Sequence, residues 1–169
     1  LVRSRGLGDV YKRQGFGDAE YQQQALASNA SGRPLSLYFH IPFCDTVCFY
    51  CACNKIVTKN RRHTVPYLDH LYRELELQGA LFDQSRPVTQ LHWGGGTPTF
   101  ISADEMRELM QATGDHFHLL DNDSGEYSIE IDPHETDERT VALLRELGFN
   151  RLSLGIQDFD PQVQKAVNR

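Results

Sequence analysis

The chain has 169 residues, 40% hydrophobic and 24% charged, with a formal net charge of −6. That length supports one domain with a real core, and the acidic balance gives no electrostatic reason to expect nucleic acid or an anionic membrane as partner. No apolar run approaches the ~20 residues needed to span a bilayer, and no charged start followed by an apolar stretch marks a signal peptide.

Leu1 to Gln14 are basic and glycine-containing, with no periodicity joining them to the rest of the chain. They read as a non-native, sequence-assembly scar or disordered leader, and 15–34 as an N-terminal lead-in. Leu35, Leu37, Phe39 and Ile41 alternate with Ser36, Tyr38 and His40, a strand period that Pro42 ends. Thr64 is expected to cap a helix with Pro66 in its first turn and Leu68, Leu71 and Leu75 on one face. Val88 to Trp93 is a second strand, followed by Gly94-Gly-Gly-Thr-Pro-Thr99. Ser102-Ala-Asp-Glu105 is a capping box opening a helix with Met106, Leu109 and Met110 inward.

After a polar turn at Asp121 to Gly125, Tyr127 to Ile131 forms a third strand. Thr136 or Asp137 caps a helix whose inward residues are Val141, Leu144 and Leu147, and Gly148 stops it. Arg151 to Ile156 is expected as a fourth strand, and Asp160-Pro161 starts a helix with Val163 and Val167. This order implies an α/β fold with a parallel sheet and right-handed crossovers. The chain stops at Arg169, a few residues into that last helix, and so reads as a fragment.

Three strands segregate polar from aliphatic residues: Ser36, Tyr38 and His40; Ser128, Glu130 and Asp132; Ser153, Gly155 and Gln157. Strands covered by helices on both faces are usually apolar throughout. A polar face therefore predicts a curved sheet lining a solvated cavity, with functional loops at the carboxyl ends of the strands.

All four cysteines lie between Cys44 and Cys53, unlike the dispersed cysteines of a secreted disulfide scaffold, and a reducing cytosol is the natural compartment. Cys44, Cys48 and Cys51, spaced by three and two residues, suit an iron–sulfur cluster whose fourth corner takes a non-cysteine ligand. A structural zinc site usually has two separated knuckles, and only one is present. Iron–sulfur ranks above zinc, and zinc above chance.

Cys44-x3-Cys48-x2-Cys51 at the end of a first strand resembles the signature of the radical S-adenosylmethionine (SAM) superfamily. Tyr38-Phe-His-Ile-Pro-Phe-Cys44, Cys51-Ala-Cys-Asn-Lys-Ile56, Leu91-His-Trp-Gly-Gly-Gly-Thr-Pro-Thr99 and Gly155-Ile-Gln-Asp-Phe159 narrow this. Together they are similar to the oxygen-independent coproporphyrinogen III oxidases, also called coproporphyrinogen dehydrogenases, over about residues 16–169.

The resemblance implies a partial (β/α) barrel over 35–169, about four βα units of six, with the later strands and a C-terminal domain missing. It implies that Cys44, Cys48 and Cys51 hold a [4Fe–4S] cluster and that SAM chelates the fourth iron. An electron passed into the cluster would cleave SAM to methionine and a 5′-deoxyadenosyl radical. That radical would take hydrogen from the β-carbon of a substrate propionate, and loss of CO2 and one electron would leave a vinyl group. Two rounds, on rings A and B, would convert coproporphyrinogen III to protoporphyrinogen IX in haem synthesis.

Tyr38, Tyr50, Gly95, Gly96, Thr97 and Glu130 match positions around SAM, and Gln157 and Arg169 match positions used around a second SAM molecule. Taken singly, Tyr38 reads as a core tyrosine, Gly94–Gly96 as a turn and Glu130 as an ion-pair partner; their joint occurrence lifts them. Related haem chaperones follow the third cysteine with Asp-Phe, whereas this chain has Cys51-Ala-Cys53. The expectation is a cytoplasmic oxidoreductase, monomeric when full length and served by an electron donor. A haem chaperone on the same barrel and a zinc-stabilised α/β binding module are the alternatives.

Overall fold

The computed structural model describes residues 16–169, and the leader expected at 1–14 lies outside them. A helix, α1 (Asp18–Asn29), occupies the lead-in. It buries only Ala25, and Asn29 ties it down by donating to the Leu81 carbonyl at 2.8 Å and accepting from Arg86 at 2.9 Å.

Strand β1 (Leu35–Ile41) is followed by two short strands, β2 (Phe43–Cys44) and β3 (Ile56–Val57). Helix α2 (Thr64–Gly79), β4 (Pro87–Gly95), α3 (Ala103–His116), β5 (His118–Leu119), β6 (Glu126–Ile131), α4 (Glu138–Glu146), β7 (Arg151–Leu154) and α5 (Pro161–Ala166) complete the order. The main sheet runs β1-β4-β6-β7, all parallel, with β5 paired to the start of β4. The expected succession of four βα units is thus present. Between Leu35 and Ser36 the partner on β4 jumps from Val88 to Gln90, a bulge that skips Thr89. The bulge lets Val88, Leu91 and Trp93 all turn to one side.

That side is the core. Phe39, Ile41, Leu91, Trp93, Ile129 and Ile131 pack against Leu68 and Leu75 of α2, Met106 and Leu109 of α3, and Leu143 and Leu144 of α4. The opposite side of the sheet carries Tyr38, His40, His92, Ser128 and Glu130.

Three expectations need correction. Thr64 is not the cap of α2, because Asn60 caps a preceding 3-10 turn that runs straight into the helix. The Thr64 hydroxyl instead lies 2.7 Å from the Arg61 carbonyl and 2.5 Å from Glu105. Val141 is exposed, because the inward stripe of α4 runs through Leu143, Leu144 and Leu147 and leaves Val141 at its rim. The fourth strand ends at Leu154 rather than Ile156. Gly155 donates its last ladder bond to Ile131, Ile156 turns back to donate to Leu154, and Gln157 takes a positive φ of 71°. The capping box at Ser102 and Glu105 and the Asp137 and Asp160 caps form as read. Among the described residues no helix is long and apolar enough to cross a membrane.

Candidate functional site

A cavity of about 330 Å³ opens at the carboxyl ends of the main strands, within the range of small-molecule sites. One wall is the cysteine loop. Its neck is closed by the parallel pairing of β2 with β3, through Ile56 donating to the Pro42 carbonyl at 2.7 Å and Thr58 to the Cys44 carbonyl at 2.9 Å. Phe43, fully buried between Tyr67 and Phe100, anchors that neck. Within the loop, the two-residue spacing closes a turn in which Cys51 donates to the Cys48 carbonyl at 3.1 Å.

The thiols differ electrostatically. Burial pushes Cys44 up, and a hydrogen bond with Thr97 offsets part of this. Burial also opposes ionisation of Cys51. There it is outweighed by hydrogen bonds from the Cys53 backbone and thiol and by the charge of Lys55, so the Cys51 thiol lies below its ordinary value. Lys55 donates to the Cys51 carbonyl at 2.8 Å. The Arg169 guanidinium lies 3.7 Å from the Cys48 sulfur. Lys55 so placed favours the Cys51 thiolate, the form that binds metal.

The second wall is the glycine loop. Gly96 donates to the Ile41 carbonyl at 2.8 Å and Thr97 to the Phe43 carbonyl at 2.7 Å. A Cβ on Gly96 would meet the Phe43 oxygen at 2.6 Å and the Cys44 sulfur at 2.9 Å. Gly95 has φ 117° and faces the His40 ring, so neither position accepts a side chain.

From the sheet floor, Glu130 accepts from the Gly95 N–H at 3.1 Å and lies 3.6 Å from His92 Nε2. His92 Nδ1 is 2.6 Å from the Ser128 hydroxyl. Tyr38 stacks on His92 with ring centroids 5.8 Å apart, and its hydroxyl is 3.0 Å from His40 Nδ1.

The third wall comes from the end of the chain. Arg169 pairs with Asp132 at 2.6 Å and donates to the Gly155 carbonyl at 2.8 Å. Of the residues singled out from sequence, Cys44, Cys48, Cys51, Tyr50, Gly95, Gly96, Thr97, Glu130, Gln157 and Arg169 all line this cavity. Tyr38 does not: it is 60% exposed and lies one strand away on the same polar face. Asp132 and Lys55 line the cavity and were not singled out as site residues. The sequence signal for Asp132 was its place on the polar face of the third strand, and for Lys55 its position just past the last cysteine.

Among the described residues no three His, Cys, Asp or Glu side chains converge on one metal-sized point. A zinc ion would need thiolates all within about 2.3 Å of one centre. An iron–sulfur cluster instead spreads its cysteines over separate iron corners. Three soft thiols around a glycine cradle, beside an open cavity where Glu130 has no cationic Lys or Arg partner among the described residues and Asp132 is paired with Arg169, fit such a cluster with a corner left for a chelating ligand.

Comparison with known proteins agrees with this geometry. The model of the Radical SAM superfamily matches residues 38–169. The chain is 55% identical, over 95% of its own length and 35% of the relative's, to the oxygen-independent coproporphyrinogen III oxidase of Pseudomonas aeruginosa. It is 45% identical to the Escherichia coli protein of that name over 91% of this chain and 33% of that one. The solved structure of coproporphyrinogen III oxidase from Escherichia coli, described as a radical SAM enzyme, superposes with a TM-score of 0.83 at 46% identity. That match covers 91% of this chain and 34% of that structure. The chain therefore spans about a third of the length of the curated relatives it matches.

Proposed function

Because this chain belongs to the radical SAM superfamily, we propose that it is the cluster-holding part of an oxygen-independent coproporphyrinogen III oxidase. The observation that carries the proposal is the convergence of three cysteines, the glycine loop and Glu130 on one cavity. When bound, a [4Fe–4S] cluster with SAM supplies one-electron cleavage of the sulfonium to a carbon radical able to take hydrogen from an unactivated carbon.

The chain's own residues bind, orient and shield. Cys44, Cys48 and Cys51 would hold three irons as thiolates, with Lys55 and Arg169 offsetting their charge. Glu130, held by the Gly95 N–H, presents a carboxylate to the SAM ammonium. Gly95 and Gly96 let the glycine loop close against His40 and the neck of the cysteine loop at the cavity edge, and Thr97 secures Cys44 from the other side. Tyr50 flanks the SAM site from the cysteine loop. Tyr38 supports it indirectly, by stacking on the histidine beside Glu130. Gln157 and Arg169 line the far wall, where a second SAM molecule would sit.

The substrate is coproporphyrinogen III, whose propionates on rings A and B lose CO2 to become vinyl groups. The partner is an electron donor, and the free thiols favour a reducing, cytoplasmic setting. The test is anaerobic incubation of the full polypeptide carrying this chain with SAM, a reductant and coproporphyrinogen III. Protoporphyrinogen IX with two CO2 per product is expected. Haem capture without turnover would sink the oxidase reading and favour a haem chaperone.

A further inference from the structure

The neck of the cysteine loop is fixed by β2 and β3, but its middle is tied elsewhere. Val47 and Phe49 are 40% and 70% exposed, so hydrophobic packing does not hold the stretch around Cys48. Two hydrogen bonds do. Phe49 N–H donates to the Val167 carbonyl at 3.0 Å. Asn168 Nδ2 donates to the Val47 carbonyl at 2.6 Å, across 121 residues of sequence. The two bonds straddle Cys48 and join it to the turn that ends α5.

Asn168 has a positive φ of 58°. Asparagine enters this left-handed region more readily than most residues. The conformation sets the side-chain amide against the loop while the next residue, Arg169, turns into the cavity and donates to Gly155.

We propose that Asn168 is a positioning residue for Cys48, acting through the Val47 carbonyl to fix the middle of the cysteine loop for cluster binding. The proposal rests on the cluster reading above. Asn168 itself is not among the residues lining the cavity.

The test uses the full polypeptide, reconstituted anaerobically with iron and sulfide. Asn168→Gly keeps the positive φ without strain and removes only the donor. Asn168→Asp keeps the size but sets an acceptor against the Val47 carbonyl. Each variant is measured for the rate at which a ferrous chelator strips iron and for the EPR spectrum of the reduced cluster. Stripping should be about fivefold faster in the glycine variant, the equivalent of one ordinary hydrogen bond, and faster still in the aspartate variant. Both spectra should shift from the parent's.

Rates and spectra identical to the parent's in both variants would overturn the proposal and leave the cluster reading standing. A parent polypeptide that takes up no iron and sulfide would overturn the cluster reading, and this proposal with it.

Discussion

Arg169 and Asp132 pair at 2.6 Å with each side chain only 10% exposed. The pair joins the end of β6 to the residues after α5, and so closes the cavity wall beside Cys48. Each partner is tied further: Asp132 accepts from the His134 N–H at 2.9 Å, and Arg169 donates to the Gly155 carbonyl. Removing one partner from such a buried pair costs about 3–5 kcal/mol, because the other charge is left without compensation.

A double-mutant cycle therefore tests the pair. Asp132→Asn and Arg169→Gln should each destabilise the full polypeptide in denaturant titration. The double variant should be more stable than the sum of the two losses predicts, by about 1 kcal/mol or more. Additive losses would show that the two side chains act independently.

Gly96→Ala should disturb cluster binding rather than global folding. The added carbon would press on the Phe43 carbonyl at 2.6 Å and the Cys44 sulfur at 2.9 Å. Backbone cannot yield there, since Thr97 and Ile56 both bond to this neck. Iron per chain after reconstitution should fall well below the parent's, and full loading would show that the cradle tolerates a side chain.

The main strands were legible because alternation of polar and aliphatic residues is a strong signal. Helix α1 was not, because Tyr21-Gln-Gln-Gln24 offers no apolar stripe and Ala25 alone is buried. The β2–β3 clip is two residues on each side, too short to show a period. The cysteines, glycine loop and Glu130 were visible as local motifs. Asp132 and Asn168 were missed as working residues because each acts through a contact far away in sequence, 37 positions to Arg169 and 121 to Val47.

Glu130→Gln should weaken SAM binding in the reconstituted full polypeptide. The amide can still accept from Gly95 but carries no charge for the SAM ammonium. Loss of one charge-assisted bond corresponds to about a tenfold or greater rise in Kd. Unchanged affinity in equilibrium dialysis would remove Glu130 from the SAM site.

Glu105 supplies a pH signature for the scaffold. Burial alone would raise its carboxyl, but the Thr64 hydroxyl, the Ser102 N–H and Arg61 outweigh burial and hold it below its ordinary value of 4.5. A carboxyl lowered by folding stabilises the folded state above that ordinary value, and this stability is lost as pH falls through the lowered one. The melting difference between the parent and Glu105→Gln should thus be present near neutrality and shrink on acidification below 4.5. A difference that grows on acidification would reverse the sign assigned here.

The central claim concerns three thiols and one cluster, and 5′-deoxyadenosine released from SAM under reducing, anaerobic conditions tests it most directly. The full polypeptide should form it, and Cys44→Ser, Cys48→Ser and Cys51→Ser should each abolish it. Sustained 5′-deoxyadenosine formation in any one of the three variants would contradict the assignment of these cysteines.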